Sequence, residues 1–326
     1  MDILYQIFID PFVQMGTAPD LLLQTLWDGL VAGVLYSLIA LGFVLIFKAS
    51  GVFNFAQGIM VVFAALTLIG IYTQLRGWGV RPGDLAAFLA LFITVGVMFV
   101  LAVGVERLML RPLVNQPDII LFMATLGIAF FLDGFGQTIW GSDVYSLELG
   151  VPKGPMFIME SLFDGGVLVD KLDIFAAVVA GGLVLVLALF FQKTKTGLAL
   201  RAVADDHQAA QSIGVPLNYI WLIVWSVAGF VALVAGMVWG AKLGVQFSIA
   251  LVALKALPVL ILGGFTSVPG AIIGGLIIGA GEKISEIYLG PVLGGGIENW
   301  FAYVLALVFL LYRPQGLFGE RIIERV

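Results

Sequence analysis

Residues 21–47 read LLLQTLWDGLVAGVLYSLIALGFVLIF, and this run decides the fold. Asp28 is its only charged residue. A helix that crosses a bilayer needs about 20 mostly apolar residues, so the run is a membrane span. The same reading recurs at 55–75, 84–105, 119–139, 173–192, 218–240, 249–265, 270–287 and 299–312. The seventh and ninth of these are short enough to be re-entrant or tilted. The expectation is one all-α polytopic membrane domain over 1–326, with about 8–10 transmembrane helices and broken or re-entrant segments.

Composition agrees. The 326 residues are 61% apolar and 11% charged, with a mean hydropathy of +1.10. A soluble domain is about 45–50% apolar and about 25% charged. So few charges cannot cover a soluble surface, but a bilayer accepts an apolar exterior, which makes lipid the first partner. The chain has no cysteine, which excludes disulfides and thiolate-held metal, and its single histidine, His207, cannot make a histidine-rich site. We read His207 as a solvated loop residue. No Walker A sequence is present, so this chain is expected to bind no nucleotide, metal or other cofactor itself. A net charge of −5 gives no reason to expect nucleic acid.

Nine spans put the termini on opposite sides. With the C-terminus inside, nine basic residues fall on the cytoplasmic side and six outside, leaving Lys255 within a span. The segment 140–172, with five carboxylates against two lysines, reads as an outer (periplasmic) loop, and the arginines of the tail 312–326 read as cytoplasmic. Asp2, Asp10, Asp20 and Asp28 precede the first basic residue, Lys48. That pattern lacks the positive start of a cleavable signal peptide, and residues 1–20 read as an interfacial segment on the outer side.

Two stretches read as irregular backbone at membrane depth: Lys48-Ala-Ser-Gly-Val-Phe-Asn-Phe-Ala-Gln-Gly58 and Leu262-Gly-Gly-Phe-Thr-Ser-Val-Pro-Gly-Ala271. Such backbone survives only where protein or water satisfies it, and paired breaks often mark a transporter's pathway. Ordinary tight turns on the cytoplasmic face are the alternative. Among ionisable groups in or near spans (Asp28, Asp133, Lys255, Glu282), Lys255 and Glu282 are candidates for an intramembrane pair.

The most informative polar segment is the loop 193–217. Asp205 suits an N-cap, and Asp206 suits the positive end of a helix. Gly214 fits the position just past its end, and Pro216 stops continuation. A helix is therefore expected over 206–213, with Ala209, Ala210 and Ile213 on one side. By spacing alone, docking into a partner's groove and packing on the chain's own membrane domain are equally compatible.

Several blocks together resemble the branched-chain amino acid ABC transporter permeases. They are Gly29-Leu-Val-Ala-Gly-Val-Leu-Tyr-Ser-Leu-Ile-Ala-Leu-Gly42 with Asn54-Phe-Ala-Gln-Gly58, Glu106-Arg-Leu-Met-Leu-Arg-Pro112, and Gly197-Leu-Ala-Leu-Arg-Ala-Val-Ala-Asp-Asp206 with Ala210 and Ile213-Gly214. Lys255-Ala, Leu262-Gly-Gly264, Pro269-Gly-Ala271 to Glu282, and Arg313-Pro-Gln-Gly-Leu-Phe-Gly319 complete them in the family's order.

The chain looks like the shorter, H-type permease subunit. The resemblance implies an inner-membrane importer with a second related permease, two ATPase subunits that hold the ATP and magnesium, and a periplasmic substrate-binding protein. It also implies that the loop helix is the coupling helix, with Gly197, Arg201, Asp205, Asp206, Ala209, Ala210, Ile213 and Gly214 as the ATPase-coupling set. Asn54, Gln57, Thr266 and Ser267 are the expected pathway residues. The family often carries histidine where this chain has Gln57, and glutamine cannot titrate. The expected cargo is a branched-chain amino acid. Urea, short amides or small organic acids are the same-family alternative. An ion-coupled carrier using Asp28 and Asp133 belongs to another class, and no catalytic constellation supports a membrane enzyme.

Overall fold

The computed structural model describes residues 3–80, 83–113, 116–148, 150–163, 166–205 and 207–319. Two short helices, α1 (Ile3–Phe8) and α2 (Asp10–Thr17), lead into α3 (Pro19–Ser50). Then come α4 (Gln57–Gly77), α5 (Gly83–Gly104) and α6 (Asp118–Trp140). After the segment 141–170 follow α7 (Lys171–Lys193), α8 (Lys195–Asp205), α9 (His207–Ser212) and α10 (Leu217–Leu243), and the bundle closes with α11 (Ile249–Gly263), α12 (Val268–Leu293) and α13 (Phe301–Tyr312). Among the described residues, seven helices are long and apolar enough to cross a membrane, and α11 and α13 are shorter apolar helices. A helix stands at each of the nine expected positions. The two short ones are the ones that fall below spanning length.

The bundle is layered. Helices α3, α4 and α10 are largely buried, whereas α5, α6 and α7 expose most of their apolar surface. The most extensive seam joins α3 to α12. An added Cβ on Gly33 would lie 2.4 Å from the carbonyl oxygen of Gly275, so only glycine permits this approach. Ser37 Oγ lies at the seam, within donor reach of the Gly33 carbonyl in its own helix (2.8 Å) and the Ala271 carbonyl on α12 (3.1 Å).

Both expected breaks contain irregular backbone between helices and are partly buried in protein. In the first, Asn54 is fully buried. Thr125 Oγ1 on α6 serves the loop on both sides, donating to Phe53 O (3.2 Å) and lying 3.4 Å from the Phe55 N–H. Trp221 on α10 donates to Ala49 O at the end of α3 (3.2 Å). The second break is closed by the C-terminal tail. Leu317 N–H donates to Leu262 O (2.8 Å) and Phe318 N–H to Gly263 O (3.1 Å), satisfying carbonyls that the end of α11 leaves open. Gly264 and Gly316, at φ +102° and +78°, let the two turns cross in contact.

The segment between α6 and α7 contains strands that an all-helical reading does not anticipate. Strands β1 (Pro155–Ile158) and β2 (Val167–Asp170) form an antiparallel hairpin with Pro155 opposite Asp170. Gln24 clamps its edge, donating to Leu168 O (2.9 Å) and accepting from Leu168 N–H (2.8 Å). Tyr145 and Val245 form a β-bridge, and Lys242 pairs with Asp173 at 2.6 Å, so the segment 140–172 shares one end of the bundle with the α10–α11 connection. The third span continues past α5 as a π-turn, Val105–Leu110. That turn carries Glu106, which lies 3.7 Å from Arg111 Nε.

Candidate functional site

The loop between α7 and α10 differs from expectation in its first half. Thr194 breaks the chain out of α7, accepts from Gly197 N–H (2.9 Å) and donates to Phe190 O (2.6 Å). A new helix, α8, starts there, and Asp205 is its last residue. The helix expected over 206–213 is α9, His207–Ser212, but Asp205 is itself helical as the end of α8, so it is not the non-helical residue that an N-cap requires. Asp206 lies outside the described residues. Gly197 is buried, and a Cβ there would sit 2.4 Å from Phe191 O. Its role is to permit the sharp α7–α8 turn.

The second half ends as expected. Gly214, at φ +87°, donates its N–H to Gln211 O (2.9 Å) while Val215 N–H reaches Ala210 O (3.0 Å). These are the two bonds of a Schellman cap. Helix α9 packs against α8. Its small apolar residues do not share one fate: Ala210 is buried, whereas Ala209 and Ile213 are exposed, Ile213 at 77%. Leu198 on α8 is also exposed, and helical periodicity alone did not single it out. Arg111 ties this loop's exit to the third span. With its amide oriented to suit both partners, the Asn218 carbonyl accepts from Arg111 Nη2 at 2.8 Å.

The four expected pathway residues fall in two places. Asn54 and Gln57 are fully buried and face each other, Asn54 Nδ2 lying 3.3 Å from Gln57 Oε1. Asn54 Oδ1 accepts from Ala56 N–H (3.1 Å), which shapes the turn into α4. Gln57 lies over Gly42, where a Cβ would overlap its amide. Thr266 and Ser267 instead line a cavity of about 320 Å³ together with Lys48 and Arg201. Ser267 Oγ also caps α12 by accepting from Gly270 N–H (3.0 Å). The two pairs therefore differ in setting: Asn54 and Gln57 are closed in by protein, whereas Thr266 and Ser267 face a cavity beside the α7–α8 turn.

Lys255 and Glu282 meet. The Lys255 ammonium pairs with Glu282 Oε1, the carboxylate is fully buried, and Tyr36 OH lies 3.3 Å from the same oxygen. The Lys255 nitrogen also sits 5.8 Å from the centre of the Tyr36 ring. Tyr36 was not legible as part of this cluster because its position depends on the α3–α12 seam. Asp28 and Asp133 are each bonded to a glutamine one turn away, Gln24 and Gln137. Among the described residues no group of carboxylates or histidines could hold a metal ion.

The family of the branched-chain amino acid transport system, permease component, matches residues 25–312. The chain is 28% identical to the high-affinity branched-chain amino acid transport system permease protein BraD of Pseudomonas aeruginosa, over 93% of this chain and 98% of that one. It is 27% identical to the corresponding protein LivH of Escherichia coli K12, over 93% and 97%. It is 30% identical to the probable branched-chain amino acid transport permease protein LivH of Methanocaldococcus jannaschii, over 92% and 95%.

Proposed function

Because the chain belongs to the family of branched-chain amino acid transport system permease components, we propose that it forms one half of the translocation pathway of an ATP-driven importer in the cytoplasmic (inner) membrane. A second related permease completes the pathway, two ATPase subunits dock on its cytoplasmic face, and a periplasmic binding protein delivers the cargo. The N-terminus lies outside and the C-terminus inside, as the distribution of basic residues favours. The cargo is a branched-chain amino acid, by likeness to the relatives' names.

The observation that carries this reading is helix α9, which packs on α8 and is followed at once by the 77% exposed Ile213. An apolar tip on a cytoplasmic loop suits a groove in a partner. ATP-driven closure of the partners would move α8 and α9 and shift the spans between two access states. The test is uptake by proteoliposomes containing the chain with its neighbouring permease, ATPases and binding protein. Leucine uptake that needs ATP and the binding protein is expected. Uptake of urea or short amides but not leucine would reassign the cargo, and uptake by the isolated chain under an ion gradient would overturn the class.

A further inference from the structure

We propose that the cavity between α3, α7, α8 and the α11–α12 turn binds the headgroup of an anionic phospholipid. The cavity holds about 320 Å³. Two cations line it: Lys48 from the last turn of α3 and Arg201 from α8. Neither makes an ion pair among the described residues, and no carboxylate is among the cavity's lining. Gln192, Thr266 and Ser267 add an amide and two hydroxyls. All of these groups can donate to an anion's oxygens, and arginine suits a phosphate in particular.

The rest of the wall is apolar. Val184, Ala188 and Phe191 lie on one face of α7 by helical spacing. Beside them Leu185 and Leu189 are 60% and 49% exposed, so the cavity wall runs on into an apolar outer surface of the bundle. A ligand with an anionic head and a hydrocarbon body matches both parts. A zwitterionic amino acid would bring an ammonium group for which the lining has no carboxylate. Inorganic phosphate would leave the apolar wall unfilled. Basic pockets between spans at the membrane surface have the chemistry that anionic lipid headgroups need. A lipid held there would touch both the end of α3 and the loop helix α8, and so join the membrane surface to the loop.

The test is thermal denaturation of the purified full-length chain in detergent, titrated with dioleoyl phosphatidylglycerol, dioleoyl phosphatidylcholine, inorganic phosphate or leucine. Phosphatidylglycerol is expected to raise the midpoint saturably, and the other three are not. Lys48→Gln should weaken the phosphatidylglycerol response by about tenfold or more, as loss of a hydrogen bond to a charged group implies, while Lys48→Arg keeps it. If Lys48→Gln does not yield folded protein, Arg201→Gln makes the same comparison. Equal responses to the two lipids, a full response to phosphate alone, displacement by leucine, or wild-type affinity in a folded Lys48→Gln variant would each overturn the proposal.

Discussion

The Lys255 ammonium on α11 pairs with the fully buried Glu282 carboxylate on α12, and Tyr36 of α3 stands over both. Three helices are joined at one charged point inside the bundle. Removing one partner leaves the other buried and uncompensated, which costs about 3–5 kcal/mol. Lys255→Met and Glu282→Gln should therefore each lower the midpoint of thermal denaturation strongly. The double variant should lose less than the sum, with a coupling of about 0.5–3 kcal/mol. Strict additivity would show that the two residues do not act as a pair.

The α3–α12 seam makes a second prediction. Gly33→Ala pushes a methyl against the Gly275 carbonyl at 2.4 Å, so the helices must separate. Overpacking of this kind costs about 1–3 kcal/mol. Gly96→Ala is the control, because nothing lies within 4 Å of its added Cβ. It should be neutral or stabilising by up to about 1 kcal/mol. Yield and melting of the two variants, compared side by side, read the difference.

The tail clasp is tested by Leu317→Pro. Proline removes the N–H that serves Leu262 O, and a lost buried hydrogen bond costs about 1–3 kcal/mol. Faster protease cleavage near 262–269 is expected, with the helices of the central layer protected as in the parent. Unchanged cleavage would mean that the tail does not secure the break.

Much of the architecture was legible because apolar length is a local property. Residues 21–47 announce a span without reference to anything else, and α11 and α13 announce their shortness in the same way. The glycine signal at Gly214 also located a helix end correctly, since a Schellman cap is formed within a few residues. What depended on distant contacts was not legible. Thr125 is an ordinary threonine until α6 brings it to the break at Phe53 and Phe55. The contact of Asn54 with Gln57 above Gly42 likewise depends on α3 and α4 coming together. The hairpin β1–β2 escaped notice because its strands are four residues each and gain an edge partner only from Gln24. Helix α8 was hidden because Thr194 caps it through a turn packed on α7.

For the loop helix, Ile213→Asp and Ala209→Trp should abolish stimulation of the partner ATPases while leaving membrane insertion intact, because Ala209 is exposed on α9 and Ile213 is exposed just past its end. Arg201→Glu should also uncouple, by disturbing α8. ATPase activity at the parent level in all three would remove α8 and α9 from the coupling role.

The most direct measurement of the central claim uses the chain's lack of cysteine. A lone cysteine from Ile213→Cys, in the assembled complex, can be cross-linked with a short thiol-to-amine reagent and the product identified by mass spectrometry. The account predicts a cross-link to an ATPase subunit whose yield changes when ATP is bound. A cross-link only to membrane-embedded segments of a permease, insensitive to nucleotide, would contradict it.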